Sequence, residues 1–183
     1  IVSPQLVFPN GKIQYSCRRF PTYWNIFTEI TLLRNLQPKS KLFNGWKMGD
    51  FYHNKEMSVD QTAGAAFLIK KKLFNQLNGL DENFPMFFSD VDMCKRIKNL
   101  NLKIIYTIKS KMIHIGGSSI LGYRTLLIIS SSLSLIKFFF KHYNSIVYLI
   151  PNLIFLLIFL PIMLVRVLKN LIFPRKLLQR KTL

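Results

Sequence analysis

The acidic residues that could do chemistry are concentrated at positions 81–92, which hold half of the chain's eight carboxylates. Asp90 stands out among them because it directly follows Phe87 and Phe88 at the predicted start of a helix. The helix dipole stabilises a carboxylate at that end, where the side chain can project into a cleft. An ionised aspartate in such a place can remove the proton of an attacking hydroxyl group. Asp90 is therefore the candidate general base.

Ser89 and Asp92 have a structural interpretation beside the functional one. Their spacing is that of a capping box, and acids in the first turn complement the helix dipole. This pattern accounts for both residues without a ligand. The run Asp90-Val91-Asp92 is also a D-x-D sequence, which by itself is only a weak indication of a metal site.

The elements that would position these residues mix helical and extended patterns. Asn10-Gly11 predicts a hairpin turn between residues 6–8 and 13–15. Asn78-Gly79 ends one short helix, and Asn101 suits the left-handed position after another. The predicted elements are a helix over 21–36, an irregular segment over 37–57, a strand over 63–69, helices over 70–77 and 89–100, and strands over 102–106 and 110–115. This mixture predicts an α/β domain.

The charge of the chain is strongly positive and unevenly distributed. Lys and Arg number 26 against 8 acids, which gives a net charge of +18, and every charged residue after Asp92 is basic. A basic excess in a hydrophobic C-terminal half favours an anionic membrane as the partner. Nucleic acid is the rival polyanion, but the basic residues flank apolar segments and form no compact nucleic-acid-binding motif. We therefore expect a membrane partner and no nucleic acid.

Residues 144–165 carry no charge and are long enough to cross a bilayer core of about 30 Å. Pro151 and Pro161 interrupt this apolar run. Basic residues flank both of its ends: Lys137 and Lys141 before it, and Arg166, Lys169, Arg175, Lys176, Arg180 and Lys181 after it. A single span would place one basic cluster on the wrong side of the membrane, which favours a tilted, re-entrant or interfacial arrangement. The alternative is a buried helical hairpin in a soluble core, against which the length of the run argues.

The two cysteines, Cys17 and Cys94, show neither metal-ligand spacing nor a disulfide framework. We expect both to be small apolar core residues in a reducing, cytosolic setting. The chain opens with Ile1 instead of methionine, and we expect a longer N-terminal part to precede it.

Five segments occur in an order and at a spacing that are typical of one enzyme family. They are residues 10–21, residues 58–71 (family pattern VD…GA…RR), residues 78–84 (GGFDE.FF), residues 89–97 (EDVDLCxRi) and residues 114–119 (HhgGxS). Together they resemble the family 2 glycosyltransferases, which have the GT-A fold, and among these the bacterial rhamnosyltransferase-type branch. The resemblance covers about residues 4–143. It is specific for the family and not for the substrate.

The resemblance implies a role for seven residues. Asp90 matches the catalytic base. Gly64 and Ala65 match the wall where the acceptor and the donor sugar meet. Asp81 and Glu82 match the turn beside the acceptor cleft, and Asp92 matches the same sugar-binding region. His114 matches a position that contacts the metal or the diphosphate in some relatives. For His114 the alternative is a strand-end histidine bonded to the backbone.

The chain departs from the family in two ways. Ser89 stands where the family usually has Glu, so an acidic pair is reduced to one residue. Nothing in residues 1–60 matches the nucleotide-binding half of the family, which carries the diphosphate pocket and a metal-binding D-x-D. The divalent cation, Mg or Mn, would then be bound mostly by residues outside this chain. The Q-x-x-R-W signature of processive relatives is also absent, which favours transfer of a single sugar.

We therefore expect residues 1–119 to form the acceptor-side half of a GT-A catalytic domain, residues 120–143 an amphipathic basic helix, and residues 144–183 a hydrophobic membrane-associated segment with a basic tail. The complete protein is expected to transfer one sugar, with rhamnose a candidate, from a nucleotide-diphosphate donor to a glycan or lipid-linked acceptor. This would occur with inversion, at the cytoplasmic face of the cell membrane, in cell-surface polysaccharide synthesis. The isolated chain is expected to be inactive. The alternative is a non-catalytic, truncated membrane-binding module.

Overall fold

The computed structural model describes residues 1–116 and 124–172, which divide into two compact units. The first unit comprises Ile1–Pro85 and Ser89–Gly116. The second comprises Met86–Phe88 and the described part of the chain after Gly117. The first unit contains strands and helices, whereas the regular elements of the second are helices. The expected α/β class is confirmed at this level, and the GT-A assignment stays a prediction.

The strands of the first unit form a three-stranded sheet and a two-stranded ribbon. They are β1 (Val2–Val7), β2 (Cys17–Arg18), β3 (Met57–Ser58), β4 (Gln61–Thr62) and β5 (Ile105–Ile113). The sheet has the order β1–β5–β3, with β5 parallel to β1 and antiparallel to β3. The antiparallel pair β2–β4 makes the ribbon. Because parallel neighbours need a crossover connection, most of the first unit lies between β1 and β5 in the chain.

The helices of the first unit begin and end at residues with clear local signals. They are α1 (Tyr23–Ile30), α2 (Lys71–Gln76) and α3 (Ser89–Asn99). The Thr22 side chain accepts a hydrogen bond from the Asn25 N–H at 3.2 Å and so caps α1. Asn78 and Gly79 follow α2 and Asn101 follows α3 with positive φ angles, as the sequence predicts.

Two predicted elements are wrong in extent. The helix expected over residues 21–36 ends at Ile30, and the left-handed backbone of Leu32 separates it from a short 3-10 turn, Leu33–Asn35. The strand expected over residues 63–69 is instead a turn at Gly64 and Ala65, in which Leu68 forms a single bridge with Val2. The Ser3 hydroxyl donates to the Ala66 carbonyl at 3.1 Å, and Val2 and Leu68 exchange two backbone hydrogen bonds, at 3.0 and 2.7 Å. These contacts with β1 hold the segment in place of a longer strand ladder.

The predicted turn at Asn10-Gly11 is confirmed, although its second arm is only a bridge between Val7 and Ile13. Gly11 has φ +78°, and the Phe8 N–H donates to the Lys12 carbonyl at 2.9 Å. The two strands expected over residues 102–106 and 110–115 are one strand, β5. Its register with β1 shifts between Pro4 and Gln5, so extra residues of β5 bulge at the middle of the pair.

The irregular segment that follows α1 is held by charged and polar side chains. Arg19 makes two parallel hydrogen bonds to Asp50, at 2.8 and 2.7 Å. Lys47 contacts Glu29 of α1 at 2.7 Å, and the Trp24 indole N–H donates to the Leu42 carbonyl at 2.9 Å. The bidentate Arg–carboxylate pair is the strongest type of these contacts, so this long connection has a defined course without regular structure.

The core of the first unit forms where α3 meets the sheet. Met93, Cys94 and Ile97 on one face of α3 are fully buried, as are Ile104 and Tyr106 at the start of β5. Each large apolar side chain contributes about 1.5–3 kcal/mol through burial. Cys17 and Cys94 are both buried and free, which confirms that they are core residues without a disulfide. This packing fixes α3, the helix that carries Asp90.

The second unit contains two long helices that pair as a hairpin. They are α4 (Arg124–His142) and α5 (Leu149–Ile172), joined through a 3-10 turn, Ile146–Tyr148. The rings of Phe139 and Phe155 lie 4.7 Å apart between the helices, and Phe138 and Phe159 are also buried. Each helix is long and apolar enough to cross a membrane, which on its own is weak evidence for membrane association. A helix is thus present within the predicted segment 120–143 and another within 144–183.

Candidate active site

Asp90 lies in the first turn of α3, with both carboxylate oxygens held by backbone donors. The Gly64 N–H donates to Asp90 Oδ2 at 2.7 Å, and the Val91 N–H donates to Oδ1 at 2.9 Å. The side chain is partly exposed. A carboxylate oxygen retains lone pairs after accepting one hydrogen bond. Asp90 is therefore oriented by the chain and still able to accept a proton at its exposed side.

Gly64 allows the turn after β4 to approach Asp90 closely. A Cβ atom at this position would lie 3.1 Å from Asp90 Cβ and 3.3 Å from Oδ2, closer than most real Cβ contacts, so the carboxylate would have to shift by a few tenths of an ångström. The absence of a side chain thus permits the short hydrogen bond. Ala65, the next residue, is exposed beside it. The structure therefore brings together three residues that the resemblance assigns to one site: Gly64, Ala65 and Asp90.

Phe88, two residues before Asp90, has a left-handed backbone with φ +70°. This conformation is unfavourable for a bulky residue by about 1–3 kcal/mol and persists only where the surroundings impose it. Within the second unit, the buried Phe88 ring lies 5.7 Å from the Phe138 ring of α4. Burial of the ring offsets the strain. In the sequence, this left-handed residue directly precedes the first residue of α3.

Asp92 is completely buried and pairs with Arg96, one turn further along α3, at 2.8 Å. The Arg96 guanidinium also donates to the carbonyls of Leu77 and Gly79, at 2.6 and 2.9 Å. Asp92 thus holds an arginine that caps the end of α2 and the turn after it. This burial favours a structural role, and we do not include Asp92 in the proposed sugar-binding site.

Asp81 and Glu82 lie in the turn that the Arg96 guanidinium helps to hold. Asp81 Oδ1 accepts hydrogen bonds from the Asn83 backbone and side-chain amides, both at 2.9 Å. This is an Asx-type turn, which needs no ligand. Glu82 is exposed to solvent. The segment at 78–84 and α3 are therefore joined through Arg96, while a role of the two acids in acceptor binding stays a prediction.

His114 lies just after β5, and its side chain contacts Gln14. His114 Nδ1 is 2.8 Å from Gln14 Oε1, and the His114 N–H donates to the Val7 carbonyl at 2.9 Å. Val7 is the last residue of β1, whereas the turn containing Gly64 bonds to Ser3 near the other end of that strand. These contacts put His114 and Gly64 at opposite ends of β1 and do not join His114 to Asp90.

His53 and Arg96 are two residues with clear roles that the sequence alone did not single out. His53 is fully buried: its Nε2 accepts the Cys17 N–H at 3.0 Å, and its Nδ1 lies 3.1 Å from the Phe51 carbonyl. Burial lowers the pKa of His53 from 6.5 to about 4, so the ring is neutral at pH 7. Nothing in the local sequence marks His53. Arg96 could have been found from the i, i+4 spacing with Asp92.

The cysteines are chemically inert. Burial raises the pKa values of both Cys17 and Cys94 to about 12. Because the thiolate is the reactive form, neither residue is a nucleophile near neutral pH.

In the two described ranges, no three His, Cys, Asp or Glu side chains lie close enough together to hold a metal ion. The side chains present there therefore do not by themselves fit the divalent cation that the resemblance implies. The divalent cation stays a prediction of the resemblance.

The chain matches no family model, no curated protein and no solved structure. The family therefore rests on the resemblance of the five segments. The hydrogen bonds that join these segments, such as Gly64 to Asp90 and Arg96 to Gly79, are observations on the fold and not on the sequence pattern.

Proposed function

We propose that this chain is the acceptor-side part of an inverting, family 2 glycosyltransferase of the GT-A type, and that Asp90 is its base. The observation that carries the proposal is the 2.7 Å hydrogen bond from the Gly64 N–H to Asp90 Oδ2. It joins the two segments that the resemblance assigns to the sugar wall and to the base. Gly64 and Asp90 are 26 residues apart in the sequence.

The reaction is a direct displacement. The acceptor hydroxyl loses its proton to the exposed side of the Asp90 carboxylate while its oxygen attacks the anomeric carbon of the donor sugar. The bond from that carbon to the nucleoside diphosphate breaks, and the configuration inverts. The Gly64 and Val91 N–H groups hold the carboxylate in a fixed orientation. Such positioning lowers the barrier because the attacking and proton-accepting atoms are already aligned.

The partners follow from this chemistry. The donor is a nucleotide-diphosphate sugar, with TDP-rhamnose a candidate, and it is bound mainly by the nucleotide-binding half of the complete protein. The acceptor is a glycan or a lipid-linked glycan. The apolar helices and basic ends of the second unit support an acceptor at the cytoplasmic face of the membrane, in cell-surface polysaccharide synthesis.

Asp90→Asn in the complete protein tests the base. The amide has the same shape but cannot accept the hydroxyl proton, so we expect turnover to fall by about 10²–10⁴-fold, as for loss of a general base. Donor binding should be unchanged. The measurement is nucleoside diphosphate release from TDP-rhamnose and from UDP-hexoses, with a lipid-linked glycan extract as acceptor. Turnover of Asp90→Asn like that of the unchanged protein would remove Asp90 from the mechanism.

Two further variants sharpen this test. Glu56→Gln removes one negative charge at an exposed side chain that bonds to Thr107, outside the site, so its turnover should equal that of the unchanged protein. Gly64→Ala keeps every charge but inserts a methyl group 3.1 Å from Asp90 Cβ. It should lower turnover by displacing the carboxylate while the fold and donor binding are retained.

The second candidate is a non-catalytic membrane-binding module, which the two apolar helices favour. The sequence encoded upstream distinguishes the two. An in-frame, strand-rich extension of roughly one hundred residues with a D-x-D supports the enzyme, whereas an upstream stop codon supports the module. No sugar transfer by a protein with that extension would also favour the module.

A further inference from the structure

We infer that α4 and α5 cross the bilayer as a hairpin, with the turn at residues 143–148 on the face opposite to the outer ends of both helices. The outer ends are the start of α4 and the end of α5. The inference concerns the topology of the second unit and is independent of the proposed sugar transfer.

The lengths of the two helices match a bilayer. α4 has 19 residues and α5 has 24, which at 1.5 Å per residue corresponds to about 28 and 36 Å. The hydrocarbon core of a bilayer is about 30 Å thick. Each helix can therefore cross it once, and α5 does so with some tilt.

The exposed face of α5 is apolar from Leu149 to Val165, before the basic residues Arg166 and Lys169. In a water-soluble hairpin, the residues that do not pack between the helices would be polar. Here the exposed residues include Leu149, Ile150, Leu153, Ile154, Leu157, Ile158, Leu160, Leu164, Val165 and Leu168. Leu157, near the middle of the helix, has 75% of its surface exposed. Lipid tails are the occupant that matches a continuous apolar face of this length.

Polar side chains close the hairpin at both ends. The Asn152 amide donates to the Tyr143 carbonyl at 2.8 Å beside the turn, and the Asn170 amide donates to the Thr125 hydroxyl at 2.7 Å near the outer ends. Inter-helix bonds of this kind hold membrane helices together, since the hydrophobic effect does not drive their association in lipid.

A hairpin removes the charge conflict that a single span creates. Lys137 and Lys141 lie towards the turn, and long lysine side chains can reach the interface from there. Arg166 and Lys169 lie towards the outer ends, and four more basic residues follow α5 in the sequence. The excess of basic residues therefore lies at the outer ends, and the positive-inside bias places those ends in the cytoplasm.

Cysteine labelling tests this topology in the full chain. Cys17 and Cys94 are fully buried in the first unit, with pKa values near 12 because of that burial, so an introduced thiol is the reactive one. Single variants Ser145→Cys, Leu157→Cys and Lys169→Cys are made, and a membrane-impermeant maleimide is added to right-side-out and to inverted membrane vesicles. Ser145 and Lys169 are both exposed polar residues, one in the turn and one near the end of α5.

We expect Lys169→Cys to label only from the cytoplasmic face and Ser145→Cys only from the other face. Leu157→Cys should label from neither face and react after detergent solubilisation. Labelling of Ser145→Cys and Lys169→Cys from the same face overturns the hairpin span. If Leu157→Cys is protected in the same experiment, the hairpin is covered by protein or lies in the membrane interface. Labelling of Leu157→Cys in intact vesicles also overturns it. Asn144→Cys, in the same turn, repeats the measurement if Ser145→Cys does not accumulate.

Discussion

His53 is fully buried, and its two ring nitrogens lie within hydrogen-bond distance of backbone atoms of Cys17 and Phe51. The Tyr15 ring stacks on it with ring centres 4.8 Å apart. Its own carbonyl accepts from the Gln5 amide and the Tyr106 hydroxyl, both at 2.8 Å. Nε2 accepts a hydrogen bond from the Cys17 N–H. Protonation of Nε2 would break that bond and leave a positive charge buried in the core.

The stability of the first unit should therefore fall at acidic pH. The pKa of His53 is lowered from 6.5 to about 4 in the folded state, so between these values the unfolded chain binds more protons. The stability that the neutral His53 ring contributes is fully present above pH 6.5 and is lost as the pH falls towards 4. The total loss of unfolding free energy at pH 4 is about 3 kcal/mol. Denaturant unfolding in detergent between pH 4 and 7 measures it. His53→Gln cannot titrate and should flatten this part of the profile; an unchanged slope would contradict the assignment.

The sequence predicts a residue's backbone conformation only where its own side chain decides it. Asn78, Gly79 and Asn101 have positive φ angles, as expected, because these residue types tolerate the left-handed region. Phe88 has the same conformation without any local signal, because the burial of its ring compensates the strain. Asp90 was predicted as the base from its neighbours, but its hydrogen bond to Gly64 depends on the tertiary fold. The candidate site residues can thus be named from the sequence, whereas their contacts depend on the tertiary fold.

The helices α2 and α3 are joined through the guanidinium of Arg96, which contacts Asp92, the Leu77 carbonyl and the Gly79 carbonyl. Arg96→Lys should destabilise the first unit by about 1–3 kcal/mol, since a single ammonium cannot serve three acceptors in this geometry. Asp92→Ala should cost about 1.5–3 kcal/mol because it removes the charged partner of the half-buried Arg96 guanidinium. Thermal or denaturant unfolding in detergent measures both.

The matched control on the same helix is Asn99→Ala at the exposed end of α3. It should change the unfolding free energy by no more than about 0.5 kcal/mol, as is usual for surface substitutions. A cost for Asp92→Ala as small as that of Asn99→Ala would show that the ion pair does not stabilise the link. A protein that keeps its stability but loses sugar transfer on Asp92→Ala would restore Asp92 to the sugar-binding site.

Elements with a strong period or a clear stop were predictable, and those made by tertiary contacts were not. α3 and α2 follow from their apolar spacing and from the Asn and Gly residues that end them. The apolar run at 63–69 predicted a strand, but Gly64 bonds to Asp90 and Ser3 bonds to Ala66, and these contacts select a turn. After Pro21 at its start, the predicted helix 21–36 contains no Gly or Pro, so no such residue marks its break at Leu32.

The composition of the chain predicted an apolar, basic C-terminal part but not how its helices pair. α4 contains several serines and two lysines, which lower its hydropathy to 1.2, compared with 2.5 for the segment that contains α5. The sequence therefore marked only the second helix as a possible span. The pairing depends on the bonds of Asn152 and Asn170 and on the Phe139–Phe155 contact, and a hydropathy profile contains none of these.

A matched pair of substitutions asks whether the apolar face of the second unit lies in lipid or in water. Leu157 in α5 and Val147 in the 3-10 turn have nearly equal exposed fractions, 75% and 74%. In water, Leu157→Arg and Val147→Arg should both be almost neutral, since neither side chain is packed. In a bilayer, arginine near the helix centre costs about 2.5–3.5 kcal/mol, whereas arginine at the interface costs little. We therefore expect Leu157→Arg to reduce the share of the chain that resists alkaline carbonate extraction from membranes, and Val147→Arg to leave it unchanged. Equal extraction of the two variants would mean that the exposed face of α5 is not in contact with lipid.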